Sequence, residues 1–149
     1  MENCVNRAIR GVVKKMLEDS KYEPYIHELD GNVVVVDDID VVTCFYGVDS
    51  ERLESTKIAL SLFKEYKAQP RDVILVEAQF SEGDACLKEF AEGLGFTYVF
   101  VKLTERQHGI YIRQALLNIA TKFHSKAKKL LYVDSDIGFC NPYWVKNVS

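Results

Sequence analysis

Asp134 and Asp136 stand one residue apart in the stretch LLYVDSDIGF, directly behind four apolar residues. If a strand over residues 129–133 runs on through Asp136, the two side chains point to the same side and their carboxylates lie about 7 Å apart. Unpaired, they would repel by about 2 kcal/mol at an effective dielectric near 20. No Lys or Arg lies within four residues of the pair, so the economical counter-charge is a hard divalent cation with oxygen ligands, Mn²⁺ or Mg²⁺. Two carboxylates are too few to cage such an ion, which would complete its shell with water and substrate phosphates. A bare DxD also has a plainer explanation, in which one Asp caps a turn and the other is solvated at a strand end. A second acidic run, Asp37, Asp38 and Asp40 in VVVVDDIDVV, likewise follows apolar residues. Because VVTCFYG comes next as another strand, this run is expected to form a turn between two strands, which favours Asp134 and Asp136 as the site.

The elements that must carry this pair alternate regularly. Residues 3–19 place Val5, Ile9, Val12 and Met16 on one helical face. A strand over residues 40–46 ends at Gly47, and Asp49 or Ser50 can cap a helix over residues 51–67 with Leu53, Thr56, Leu60 and Phe63 inward. Pro70 is expected to stop that helix. DVILVE (72–77) reads as a second buried strand, and Asp84 as the cap of a short helix closed by Gly95. TYVFVKL (97–103) is a third strand. Residues 107–124 predict the longest helix, with Ile112, Leu116, Ile119 and Phe123 inward, and a fourth strand follows over 129–133.

Continuous apolar strands alternating with amphipathic helices predict an α/β fold, an open, doubly wound, mostly parallel sheet. Residues 1–38 form an N-terminal helix and extension, and residues 39–149 the α/β domain. Right-handed crossovers bring every strand-to-helix loop to one sheet edge, where such folds bind ligands. That edge collects Gly47, Val48 and Asp49, then Glu77, then residues 104–108, and last Asp134 and Asp136.

Composition narrows the classes. The 149 residues, 48% hydrophobic, suit one ordinary core, and a net charge of −3 does not suggest a nucleic-acid binder. Cys4, Cys44, Cys86 and Cys140 form no CxxC pair and meet no His at zinc spacing, a pattern that fits free thiols in a reducing cytosol. No apolar run reaches the roughly 18 residues of a membrane span, so a cytoplasmic protein is expected.

As a set, three segments carry a resemblance. LLYVDSDIGFCNPYW resembles the DXD segment of nucleotide-sugar-dependent glycosyltransferases of the GT-A fold. VVTCFYGVDSERLESTKIALSLF is similar to the opening strand, nucleotide-contacting loop and first helix of that fold, and HGIYIRQALLNIATKF to the helix before the DXD strand. The likeness spans about residues 40–148. It implies Asp136 as the direct metal ligand and Asp134 as a contact to the ribose and, through water, to the metal. Tyr46, Gly47 and Val48 resemble the loop that cradles uracil and ribose, Glu77 the acidic strand end that reads the base, and His108 and Arg113 contacts to pyrophosphate or sugar. The implied donor is a UDP-sugar; the acceptor and any catalytic residue stay open.

A complete GT-A domain continues well past the DXD strand through an acceptor site, whereas this chain ends at Ser149. The expectation is therefore a fragment of an enzyme, a truncated nucleotide binder, or a chain completed by a partner. One rival is a GT-A-like half domain that serves as a binding or assembly module, with a partner or a second copy covering its open sheet edge. Another is a phosphatase of the haloacid-dehalogenase type. That fold places DxD after its first strand with Thr or Val two residues on, where this chain has Gly138. Plainer roles are a solvated helix face for Arg113 and an apolar anchor for Trp144.

Overall fold

Four runs rich in Val, Ile and Leu become the four strands of one sheet in the computed structural model, which describes residues 33–47, 49–80, 83–104 and 112–148. In chain order the elements are β1 (Val34–Tyr46), α1 (Ser50–Glu65), β2 (Ala68–Phe80), α2 (Lys88–Gly93), β3 (Thr97–Leu103), α3 (Ile112–Phe123), β4 (Lys129–Tyr132) and α4 (Trp144–Asn147). Every pairing is parallel and the strand order is β3-β2-β1-β4.

The two faces of the sheet are covered by different helices. Ile39, Val41 and Phe45 of β1 and Val73 and Leu75 of β2 pack against Leu60 and Phe63 of α1, Ala91 of α2 and Trp144 of α4. Alternate residues of the same strands, Val42, Cys44, Ile74 and Val76, face Leu116, Leu117 and Ala120 of α3. Burial on both sides is why these strands lack polar alternation. The helices after β1 and β2 thus lie on one face and the helix after β3 on the other. With right-handed crossovers, the chain runs outward from β1 through β2 to β3, then returns across the sheet to place β4 on the other side of β1. This is the open, doubly wound α/β sheet expected from the sequence.

Local chemistry sets the element ends. Asp49 caps α1, its Oδ1 accepting from the N–H of Glu51 at 2.9 Å and of Arg52 at 3.3 Å. Gly95, at φ 73°, takes the left-handed turn after α2, and the N–H of Phe96 donates back to the carbonyl of Ala91. Trp144 is buried in an aromatic group, stacked on Phe139 at 3.9 Å and edge-on to Phe63 and Tyr66, the anchor anticipated for it.

Several expectations are corrected. No turn splits the chain near Asp37 and Asp38; β1 is continuous, with a register irregularity between Val36 and Asp40, so the sheet starts before residue 39. Asp40 is fully buried and accepts from Arg71, from Ser125 Oγ at 2.7 Å, and from the N–H groups of Lys126 and Ala127. Asp38 pairs with Lys129 at 3.2 Å. Two of the three carboxylates of the second acidic run, Asp38 and Asp40, are thus paired with cations, Asp37 is exposed, and the run lies towards the N-terminal end of β1, away from the C-terminal strand ends. Helix α1 ends at Glu65, before Pro70, which lies inside β2 opposite Val36. Asp84 does not cap α2, which begins four residues later with no side-chain cap from Leu87. Helix α3 turns Leu116, Leu117 and Ala120 inward and leaves Phe123 67% exposed. The expected helix over residues 3–19 and the start of the helix over 107–124 lie outside the described residues.

Candidate functional site at the reversal of strand order

Strand β1 delivers Tyr46 and Gly47 to the C-terminal edge of the sheet, next to β4. Gly47 has φ 103° and nothing within 4 Å of where a Cβ would stand, so glycine is required there by backbone conformation, not by crowding. Strand β4 pairs with β1 only from Lys129 to Tyr132, opposite Ile39 to Val42. The N–H of Val133 adds one further bond to the carbonyl of Val42 at 3.0 Å, and the chain then turns, the N–H of Ile137 donating to the carbonyl of Asp134 at 3.2 Å. The strand therefore does not run through Asp136, and the same-side geometry of an extended strand does not hold. Asp134 and Asp136 are exposed on a turn, while Ser135 between them is 4% exposed. Ser135 Oγ accepts from Thr56 Oγ1 of α1 at 3.2 Å. This buried contact pins the turn to the first strand-to-helix unit and holds both carboxylates outward.

The missing counter-charge comes from far along the chain. Arg113, in the first turn of α3, donates through Nη2 to Asp134 Oδ1 at 2.5 Å across 21 residues. It lies well outside the four residues on either side of the pair. A second arginine stands on the opposite wall: the Arg52 guanidinium lies 4.9 Å from the Tyr46 ring centre and 5.9 Å from that of Phe45. Burial pushes the Cys44 thiol up, Arg113 and Arg52 pull it down, and Asp134 pushes it up again. All three charged groups therefore act on Cys44, two residues before the end of β1. Among the described residues nothing hydrogen-bonds or ion-pairs with Asp136, and no His, Cys, Asp or Glu joins the pair as a third metal ligand.

Glu77 is not at a strand end but inside β2, and is fully buried. Its Oε1 accepts from the N–H of Cys86 at 2.7 Å and from Gln79 Nε2 at 2.9 Å; its Oε2 accepts from the N–H of Leu87 at 2.9 Å and from Tyr98 Oη at 2.7 Å. Burial, and then this bond to Glu77, pushes the Tyr98 hydroxyl well above its ordinary range. Glu77 thus supplies from β2 the cap that α2 lacks, and its oxygens are engaged by the protein itself. Gln79 Nε2 also donates to the carbonyl of Gly47 at 3.2 Å, tying the loop after β1 to this network.

Of the residues singled out from sequence, Arg113 and Asp134 are in contact, Tyr46 and Gly47 end the neighbouring strand β1, Asp136 lies on the turn after β4, and Glu77 lies beneath the neighbouring loop. Val48 and His108 lie outside the described residues. Arg52 and Ser135 were not foreseen, and Thr56 was expected only as an inward residue of its helix. A usable signal existed for Arg52, which precedes Thr56 by four residues and so shares its helix face.

A shallow depression of about 220 Å³ lies at the other end of the sheet, between Lys64, Gln69, Arg71 and Asp72. Its charges serve the fold: Arg71 pairs with Asp40, and Asp72 accepts from the N–H and Oγ1 of Thr97. No protein-family model, curated protein or solved structure matches this chain.

Proposed function

We propose that the crevice between the ends of β1 and β4 binds a nucleotide sugar, a UDP-sugar first among them, for transfer of the sugar to an acceptor. The observation that carries this reading is the position of the Asp134–Asp136 turn. It lies where the strand order reverses, beside Tyr46 and Gly47, and open parallel sheets bind their ligands at such points. Tyr46 offers a ring for the base or ribose, Arg113 a planar cation for a phosphate, and the turn two outward carboxylates. Glu77 has no part in this site, because its oxygens hold α2 and β3.

The residues fit a divalent ion in one limited sense. Two exposed carboxylates suit Mg²⁺ or Mn²⁺, ions that keep several waters and accept phosphate oxygens as remaining ligands. Such an ion would offset the negative charge that grows on the departing diphosphate. Asp136 is the better placed of the two ligands, since Asp134 already faces Arg113.

The Arg113–Asp134 pair also favours a second reading, a binding module that takes the nucleotide without a metal. Calorimetric titration of UDP, with Mn²⁺ and with a chelator, separates the two. The glycosyltransferase-like reading expects binding that needs the ion and is lost in the Asp134→Ala, Asp136→Ala double variant. Equal binding in chelator would support the module, and no binding by the folded wild-type chain would overturn both.

A further inference from the structure

We propose that Arg52 is a phosphate-binding residue, one wall of a diphosphate site whose opposite wall is Arg113; this rests on the nucleotide-sugar reading above and names the contacts of its charged portion. Three observations place Arg52 there. Its guanidinium covers the Tyr46 ring at 4.9 Å, so it stands over the last residue of β1. It lies one helical turn before Thr56, whose hydroxyl holds Ser135, so Arg52 and the Asp134–Asp136 turn flank the same gap. Its charge bears on the buried Cys44 thiol together with those of Arg113 and Asp134, although Cys44 faces α3 and Arg52 belongs to α1. The end of β1 is thus bracketed by one arginine from each helical layer.

The chemistry follows from the charges. Arg113 is committed in part to Asp134, whereas Arg52 lies over its aromatic neighbours and, among the described residues, no hydrogen bond or ion pair engages its side-chain N–H donors. Arginine presents a planar fork of donors that matches two phosphate oxygens, and an aromatic face beneath it keeps that fork in one orientation. A diphosphate lying across the gap would meet Arg52 on the α1 side and Arg113 on the α3 side. The carboxylates of the turn would remain on the β4 side for a cation. Arg52 therefore serves the phosphates, not the base, even though it touches Tyr46.

Calorimetric titration of two probes, UDP and inorganic pyrophosphate, each with Mn²⁺ present, tests this on the wild-type chain and on Arg52→Ala and Arg52→Gln. Thermal melts establish that the variants are folded, and Arg52→Gln retains the first two methylenes of the side chain and a polar, uncharged end. The expected result is a loss of about ten-fold or more in affinity for both probes in both variants. Full wild-type affinity in the variants would overturn the assignment while leaving the nucleotide-sugar reading standing. A loss for UDP with none for pyrophosphate would also overturn it, because Arg52 would then act through Tyr46 on the base. Wild-type binding of pyrophosphate but not of UDP, lost in the variants, would keep the phosphate site and remove the nucleotide. Binding of neither probe would remove both.

Discussion

Replacing Glu77 with Gln tests the central claim about the polar interior, that this carboxylate holds the β2–α2–β3 unit together. Four donors converge on its two oxygens within 2.9 Å. An amide removes one acceptor, and it would settle with its NH₂ towards Tyr98, whose hydroxyl can turn and accept. The N–H of Leu87 cannot turn and is left without a partner in a buried position. An orphaned buried donor costs about 1–3 kcal/mol, and losing charge assistance at the remaining bonds costs a similar amount. Relief of the desolvation of a buried charge offsets part of this, leaving a net loss of about 3 kcal/mol. For a chain of this length that is roughly 6–12 °C in melting temperature. Thermal and urea unfolding followed by circular dichroism measure it, and hydrogen exchange should show the amides of Cys86 and Leu87 losing protection first. Tyr98→Phe, which removes one donor and orphans none, should cost less than Glu77→Gln. A Glu77→Gln variant within about 1 kcal/mol of wild type would refute the reasoning, since the carboxylate would then not be the cap of α2.

Other outcomes follow from the same contacts. Burial alone would raise the Asp40 carboxyl, but bonds from Arg71, Ser125, Lys126 and Ala127 outweigh it and hold it below the ordinary value. Asp40 therefore stabilises the fold fully above its unfolded pKa and loses that contribution as pH falls through the lower folded value. An Asp40→Asn variant should show a shallower loss of stability than wild type in urea titrations below about pH 4. Arg71→Ala removes the cation from buried Asp40 and should cost about 3 kcal/mol or more at neutral pH. Ser135→Ala leaves the buried Thr56 hydroxyl unpaired and should cost about 1–2 kcal/mol, whereas Asp136→Ala, at an exposed position, should stay within about 0.5 kcal/mol in the same urea assay. Gly47→Ala meets no steric neighbour but must adopt positive φ, so unfolding should show a loss of about 1–2 kcal/mol.

The sheet was legible because burial on both faces writes itself into each strand as an unbroken apolar run. TYVFVKL became β3 over the same residues, and Asp49 proved to be the cap of α1. Contacts made across long separations were hidden. Arg113 reaches Asp134 from another element, so the local sequence suggested a charge gap that the fold partly closes. Asp37, Asp38 and Pro70 resemble turn residues, yet parallel pairing of β1 with β2 carries the chain straight through them. Glu77 looked like an exposed strand end because its donors lie nine, ten and 21 residues onward, apart from nearby Gln79. On α3, the spacing of Phe123 fits the inward stripe, but it is the last residue of the helix, and that side chain meets solvent.

The irregularity in β1 has a meaning for how this chain can tolerate changes of length. Val34 to Val36 pair with Ala68 to Pro70, and pairing resumes at Asp40 with Asp72, so residues 37–39 of one strand stand against residue 71 of the other. The surplus is even, and the inward and outward alternation of β1 survives it. Asp40, anchored by Arg71 and by the segment 125–127, fixes the register of everything above it. The valine run below is thereby uncoupled from the upper strand. A two-residue deletion or insertion at positions 33–38 would be absorbed at the bulge, and Tyr46 and Gly47 would still arrive at the same height beside the Asp134–Asp136 turn.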